Sequence, residues 1–238
     1  MSTLNYAFIL CGGLGTRLRP VTNHTPKVLL KIQNKTLLEH NIELMRRHGI
    51  ENIILAVGFL REKIKEYFGD GSKFGVKITY IEESEPLGTA GPLRLAKDSG
   101  LLPKEAFVMC NGDELKDIPL LEMYKFHKKN KALATIALTK VEDVSQFGVV
   151  ELKGSKIISF VEKPKPEEAP SNLINSGLYI LEPEVAKLVP KGRVSIERDI
   201  FPKIANQGKL FGFPFSGQWF PTDTPERMKI AERKWKLA

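Results

Sequence analysis

The 238-residue sequence has only two cysteines, Cys11 and Cys110. Two are too few for a disulfide framework or a structural zinc site. Each ends an apolar run directly before a loop containing glycine or Asn-Gly, and the pair reads as small buried residues without a redox function. No apolar run is long enough to cross a bilayer, since the longest, Ile53 to Leu60, falls far short of the roughly 20 residues required. No basic stretch precedes Phe8-Ile9-Leu10, so no signal peptide is read, no membrane role is expected, and the expected compartment is the cytoplasm. Charge of one sign is not concentrated either. The net charge is +8, from 36 Lys+Arg against 28 Asp+Glu, and the cations are spread along the chain. The densest stretch, Lys125 to Lys131, reads as the end of an amphipathic helix, where cations complement the dipole. A nucleic-acid partner is therefore not expected. A Walker loop is absent, because no Gly-Lys-Ser/Thr follows four spacers after a glycine. The dinucleotide fingerprint is absent too, since Leu18 stands where its third glycine belongs. There is no internal repeat.

What the sequence does contain is a glycine loop carrying its own cations. Leu10-Cys11-Gly12-Gly13-Leu14-Gly15-Thr16-Arg17-Leu18-Arg19-Pro20 follows an apolar run, Tyr6 to Leu10, that reads as a buried first strand. Three glycines within four positions let the backbone approach a ligand closely and aim N–H groups at it. Arg17, and Lys27 after Pro26, add fixed positive charge. Such a loop suits a polyphosphate. A bare glycine cluster is also what a tight strand-to-helix turn requires, and the cations are what set this one apart.

Hydrophobic content of 42% and charged content of 27% are those of an ordinary globular chain. Its first two-thirds alternates short apolar runs with helical patterns. Helices are expected over Lys35–His48, Leu60–Phe68, from Thr89 to Lys97, and over Leu120–Lys129; strands over Asn52–Val57, Val76–Ile81 and Ala106–Cys110. Strands that are continuously apolar imply a mostly parallel sheet covered by helices. After Leu133–Leu138 the rhythm changes. Two strands flank Lys153-Gly154-Ser155 as a hairpin, a proline-rich loop follows at Pro164–Pro170, and Leu178–Leu181 is another strand. Helices around Val185 and Ile200, a strand at Leu210–Phe215 and a terminal helix from Pro225 to Lys236 complete the chain. The expectation is one α/β domain over residues 1–238, with a nucleotide part to about residue 115 and an acceptor part from about 116.

Three further segments carry chemistry. Glu82-Glu83-Ser84-Glu85-Pro86-Leu87-Gly88-Thr89-Ala90-Gly91 leaves the end of a strand, where ligands bind in open α/β sheets. A carboxylate there accepts from adjacent N–H donors on a base edge, as guanine N1 and N2 present; otherwise it is a solvated acidic turn. Asn111-Gly112-Asp113 puts an aspartate at a strand's carboxyl end, a natural Mg²⁺ ligand or a common turn. Asp223 is a second ligand, part of a helix cap in which Thr224 or Asp223 precedes Pro225 at the first helical position, or both. Phe160-Val161-Glu162-Lys163-Pro164 sets an amine for a phosphate beside a carboxylate for hydroxyls, a pair suited to a sugar phosphate, although an exposed charge pair looks the same.

Taken in order, the glycine loop through Pro26-Lys27, Asn111-Gly112-Asp113, Phe160 to Pro164, and Asn175-Ser176-Gly177 resemble the sugar-1-phosphate nucleotidyltransferases from about Tyr6 to Trp235. Glu83 to Leu93 looks most like the mannose-1-phosphate guanylyltransferase branch, and Ser195-Ile196-Glu197 points the same way. The resemblance implies a Rossmann-like nucleotidyltransferase fold with a mixed, mostly parallel sheet, an NTP and a sugar 1-phosphate as partners, and Mg²⁺ as cofactor. It implies catalytic roles for Arg17 on the leaving pyrophosphate, Lys27 between the phosphates, Lys163 on the sugar phosphate, and Asp113 on the metal with Asp223. Leu10, Gly12, Gly13, Gly15 and Thr16 would line the nucleotide, and Glu83 or Glu85 with the Gly88 backbone would read the base. Gly148, Glu162, Asn175 and Gly177 would line the sugar pocket. Three features depart from the family pattern. Many relatives carry the second aspartate where this chain has Pro221, so Asp223 substitutes from two positions later. Cys11 replaces a commoner alanine. The sequence also ends without the left-handed β-helix that many guanylyltransferases append, and in this it resembles heptose-1-phosphate guanylyltransferases and other short members. A homodimer is compatible with all of this.

Overall fold

The computed structural model describes residues 4–236. In chain order the strands are β1 (Tyr6–Leu10), β2 (Lys31–Ile32), β3 (Lys35–Thr36), β4 (Asn52–Val57), β5 (Lys77–Glu82), β6 (Phe107–Asn111), β7 (Glu114–Lys116), β8 (Ala134–Lys140), β9 (Gly148–Lys153), β10 (Lys156–Glu162), β11 (Leu173–Leu181), β12 (Leu210–Pro214) and β13 (Trp219–Pro221). The α-helices are α1 (Leu37–Arg47), α2 (Arg61–Phe68), α3 (Gly91–Asp98), α4 (Leu120–Lys129), α5 (Phe201–Asn206) and α6 (Pro225–Lys234). Among the described residues no helix is long and apolar enough to cross a membrane.

These elements form two compact units that interleave along the chain. The first takes the chain up to Pro86, then Met109–Ile118, then the chain from Gly217; the second takes Leu87–Val108 and Pro119–Ser216. The expected division near residue 116 falls within the first unit's Met109–Ile118 segment.

In the first unit β1, β4 and β5 are parallel, with Leu10 opposite Ala56 and Val57 opposite Glu82. Phe8, Ile9, Leu55 and Ala56 are fully buried, which is why these strands read as continuous apolar runs rather than alternating ones. The Phe, Ile and Leu side chains among them each contribute about 1.5–3 kcal/mol of burial. Parallel pairing brings the carboxyl ends of neighbouring strands to one edge. There Cys11 N–H donates to Ala56 O (2.8 Å), Glu83 N–H to Val57 O (2.8 Å) and Gly112 N–H to Leu10 O (3.0 Å). Helix α1 starts on a capping box, with Thr36 Oγ1 accepting from Glu39 N–H (3.1 Å) and Glu39 accepting from Thr36 N–H (2.6 Å). Such caps are worth about 1 kcal/mol. The first residue of α1, Leu37, joins Ile32, Leu115, Ala231 and Trp235 in a small core lined also by Leu30, Phe220 and Met228.

The second unit orders its strands β11-β8-β12-β10-β9. Here β8 and β12 are parallel while β11–β8, β12–β10 and β10–β9 are antiparallel, so the sheet is mixed. The Lys153-Gly154-Ser155 turn closes the hairpin, with Gly154 at φ 62. Strand β11 is longer than its apolar end suggests, running from Leu173 through Asn175-Ser176-Gly177. Its register with β8 shifts between Asn175 and Tyr179, and Gly177 has φ 66. A bulge of this kind breaks the alternation by which strands are read and re-aims side chains.

Candidate active site

The first unit gathers one cluster at the carboxyl edge of its parallel strands. Gly12 lies under Glu83: a Cβ at position 12 would sit 2.7 Å from Glu83 Oε1. Gly15 has φ 60, and Thr22 Oγ1 donates to its carbonyl (2.8 Å), so the turn needs glycine for its left-handed backbone. Gly13 has open space around it, and Thr16 and Arg17 are exposed. Leu10 ends the strand from which the loop departs. Of the two glutamates expected to read a base, Glu83 is buried against the glycine loop, whereas Glu85 is exposed to solvent.

Cations and carboxylates pair beside this loop. Lys27, only 8% exposed, donates to Asp113 Oδ2 at 2.6 Å. Arg17 Nη1 donates to Asp223 Oδ2, and Arg227 Nη1 donates to Asp223 Oδ1 at 2.8 Å. Because Arg17 is 58% exposed, its pair is worth about 1 kcal/mol or less to stability. Lys27 is nearly dry, so its partner matters more. Burial pushes the Asp223 carboxyl up, but its hydrogen bond to Arg227 and the charges of Arg227, Arg17 and Lys27 outweigh this and hold it below the ordinary value. Thr224, not Asp223, caps α6, accepting from Arg227 N–H (3.2 Å) ahead of Pro225. Asp223 is left to the cluster. Thr222 Oγ1 donates to Asp113 O at 2.5 Å, joining the two aspartate-bearing segments.

This donor set fits a divalent cation. Two carboxylates supply hard oxygens, and Mg²⁺ is ordinarily held by one or two carboxylates together with substrate phosphates rather than by an all-protein cage. No group of three or more His, Cys, Asp or Glu side chains suited to a metal occurs among the described residues. Both thiols are buried and unbridged. Burial pushes Cys11 well above its usual range, with Cys110, Asp113 and Glu83 adding to the shift, and pushes Cys110 to about 11. They are packing residues, not nucleophiles.

The second unit gathers another cluster. The β9–β10 register sets Gly148 opposite Glu162. A Cβ at Gly148 would lie 2.5 Å from the Phe160 ring and 2.9 Å from Glu162 Oε2. Lys163 is exposed with φ 52, and its N–H donates to Phe147 O at 2.9 Å. Burial and the charge of Glu197 raise the Glu162 carboxyl, with Lys163 and Arg198 opposing. Asn175 Oδ1 accepts from Gly177 N–H (2.9 Å), and Asn175 Nδ2 donates to Tyr179 OH (2.9 Å). Tyr179 OH in turn donates to Glu197 Oε1 (3.3 Å). Thr89 Oγ1 (2.6 Å) and Ser195 Oγ (2.7 Å) donate to Glu197 Oε2. Gly88 has φ 75, and a Cβ there would meet Val194 O at 2.4 Å.

Several of these groups were not foreseen. Glu197 had a signal in Ser195-Ile196-Glu197, but nothing marked it as a hub. Tyr179 is hidden inside an apolar run. In the first unit Arg227, which pairs with Asp223, looks like an ordinary surface charge in sequence.

A cation-bearing glycine loop and two aspartates paired with cations lie at the carboxyl edge of a parallel sheet, an arrangement of the kind that suits a polyphosphate. More particularly, the chain belongs to the Nucleotidyl transferase family, which it matches over residues 6–233. It is 43% identical over 224 residues to a mannose-1-phosphate guanyltransferase of Yarrowia lipolytica, an alignment spanning 92% of this chain and 60% of that protein. The chain thus spans about three-fifths of the length of such curated relatives. Among solved structures it is similar to a putative glucose-1-phosphate thymidylyltransferase from Bacillus anthracis in complex with a sucrose, with a TM-score of 0.87, 27% identity, and coverage of 98% of this chain and 97% of that one. HddC from Yersinia pseudotuberculosis, complexed with GMP-PN, gives a TM-score of 0.81 at 28% identity, with coverage of 98% and 100%.

Proposed function

We propose that the protein transfers a nucleotidyl group from GTP to mannose 1-phosphate, releasing pyrophosphate and forming a GDP-sugar. The observation that carries the reading is the pairing of Lys27 with Asp113 and of Arg17 with Asp223 beside the glycine loop. The similarity to guanyltransferases over 92% of the chain supports the choice of substrates. We assign the reaction to the cytoplasm, where nucleoside triphosphates are abundant.

The first unit's groups take the triphosphate. Backbone N–H groups of Gly12, Gly13 and Gly15 and the Thr16 region approach the phosphates, and Arg17 neutralises the pyrophosphate as it leaves. Lys27 offsets charge at the α-phosphate, and Glu83 accepts from the N1–H and N2–H donors of guanine. Asp113 and Asp223 would hold Mg²⁺, which supplies charge neutralisation on phosphate oxygens when bound. The second unit's groups take the acceptor. Lys163 holds the sugar phosphate; Glu162, Asn175 and the backbone near Gly148 and Gly177 accept from or donate to sugar hydroxyls. The nucleophile is a phosphate oxygen that is already ionised, so no general base is required. Positioning and preorganised charge carry the rate. The sugar-phosphate oxygen attacks the α-phosphorus, the bond to the bridging oxygen breaks, and that oxygen leaves with the pyrophosphate.

Pyrophosphate release from each NTP against a set of sugar 1-phosphates, with Mg²⁺, tests this directly. GTP with mannose 1-phosphate should give the highest kcat/KM. A clear preference for UTP, CTP or dTTP would overturn the role of Glu83, and a preference for another sugar, such as a heptose 1-phosphate, would reassign the acceptor. Asp113→Ala should abolish release; unchanged release would sink the metal assignment and a silent, nucleotide-sensing protein would remain only if no pair turned over.

A further inference from the structure

Strands β7 and β13 form a two-stranded antiparallel ribbon in which Glu114 faces Pro221, Leu115 faces Phe220 and Lys116 faces Trp219. Its apolar residues Leu115 and Phe220 sit in the small core with Ile32, Leu37 and Trp235. The polar side chains of the ribbon do something else. Lys116 is fully buried, donates from Nζ to Asn111 O at 3.0 Å, and lies 3.6 Å from Glu114 Oε2. Glu114 accepts from Trp219 Nε1 at Oε2 (3.3 Å) and lies at the limit of a hydrogen bond, 3.5 Å, from Asn111 Nδ2 at Oε1. At the other side of the Asn111-Gly112-Asp113 turn, buried Thr222 donates to Asp113 O at 2.5 Å. Asn41 Nδ2 reaches Gly112 O (3.3 Å) and Glu114 O (3.0 Å).

The turn that carries Asp113 is therefore pinned at its first and last carbonyls, and the strand that leads to Asp223 is tied to it by the Glu114 carboxylate. A buried ammonium is costly unless compensated, and a hydrophobic pair in its place is often no less stable.

We propose that the Glu114–Lys116 pair is a positioning element that holds Asp113 and Asp223 together as one divalent-cation site. The proposal rests on the reading of those aspartates as metal ligands and adds the residues that set their geometry. Neither Glu114 nor Lys116 need touch the metal or the substrate. They act by fixing the two segments on which the ligands stand, as groups behind metal ligands commonly do.

The test is Mn²⁺ binding by the metal-stripped full chain, followed by the loss of the free-ion electron paramagnetic resonance signal. Asp113→Asn, Glu114→Gln and the double variant Glu114→Gln/Lys116→Met are compared with the wild type. The double variant removes both charges and leaves neither uncompensated, so it should melt cooperatively. It should bind Mn²⁺ about 10- to 100-fold more weakly. Its KM for Mg²⁺ should rise in step while kcat at saturating Mg²⁺ stays within about twofold, a split that a general loss of structure does not produce. If the folded double variant binds Mn²⁺ as the wild type does while Asp113→Asn does not, the positioning role is overturned and the metal reading stands. If Asp113→Asn itself binds normally, the metal reading falls and takes this proposal with it. Should the double variant fail to melt cooperatively, the isosteric Glu114→Gln decides by the same criteria.

Discussion

The two units meet the same problem, charge held out of water, in opposite ways. In the first, both aspartates of the cluster have cations: Asp113 has Lys27, and Asp223 has Arg17 and Arg227. In the second, Glu197 is satisfied by three hydroxyls, those of Thr89, Ser195 and Tyr179, and Glu162 is raised by burial and by Glu197. Asp223 is held toward its ionised form and Glu162 is pushed toward its neutral one. Paired ions can exchange partners with a charged ligand such as a metal-bound triphosphate. Hydroxyl-bound carboxylates suit a neutral ligand that is itself made of hydroxyls. On the proposed reading, the contrast separates the groups that meet the triphosphate from those that meet the acceptor.

The largest expected effect breaks the charged side. Arg17→Ala should lower kcat by about 10²- to 10³-fold, the usual cost of removing a group that meets developing charge. Its thermal midpoint should barely move, because Arg17 is 58% exposed and an exposed pair contributes about 1 kcal/mol or less. Lys27→Met should lower kcat comparably and also lower the midpoint, since it strands Asp113 beside the site. Turnover and thermal melts on the two variants check this. Equal stability losses would erase the distinction between the two pairs.

The next effect concerns pH and the second unit. His127 is fully buried there, with Nδ1 2.8 Å from Thr135 Oγ1 and Nε2 3.4 Å from Glu182 Oε1. Burial lowers it to about 4, against the pull of Glu182. The folded protein keeps this imidazole neutral, whereas the unfolded chain takes up a proton below about 6.5. Stability from this group is therefore complete above the unfolded value and is lost as pH falls toward the folded one. The shift corresponds to roughly 3 kcal/mol. Urea unfolding between those limits should show that slope in the wild type and a flatter one in His127→Gln. An unchanged slope would mean that the histidine is not held neutral.

How much of this could be read beforehand depended on the kind of signal. The parallel strands were legible because burial on both faces leaves unbroken apolar runs such as Phe8-Ile9-Leu10 and Ile53 to Val57. The glycine loop was legible because Gly15 has a backbone that other residues resist. Asp223 was ambiguous, since an aspartate before Thr-Pro has the same sequence whether it caps or binds; the Thr224 hydroxyl settles who caps. Strand β11 was cut short because its bulge interrupts the pattern at Asn175-Ser176-Gly177. Glu114 and Lys116 were illegible, and Glu197 was marked only by Ser195-Ile196-Glu197, because their meaning lies in partners distant in the chain. Residues 89 and 197, or 114 and 219, become neighbours only once the fold exists.

The smallest effect sharpens the neutral side of the comparison. Glu162→Gln keeps the size and one acceptor of the side chain and removes its charge. If Glu162 accepts from sugar hydroxyls, the KM for the sugar 1-phosphate should rise about tenfold, the cost of weakening one charge-assisted hydrogen bond. The KM for the triphosphate should stay close to that of the wild type. Stability should move the other way. A carboxyl raised in the folded state opposes folding once ionised, so the burden is full above its folded value and relieved as pH falls through that value. At pH 7 the glutamine variant should therefore melt higher than the wild type, and its advantage should fade toward pH 4. A variant that binds the sugar less well while folding better is what a charge kept for recognition predicts. One that loses both would make Glu162 a support of the fold, and the second unit would then handle charge as the first one does.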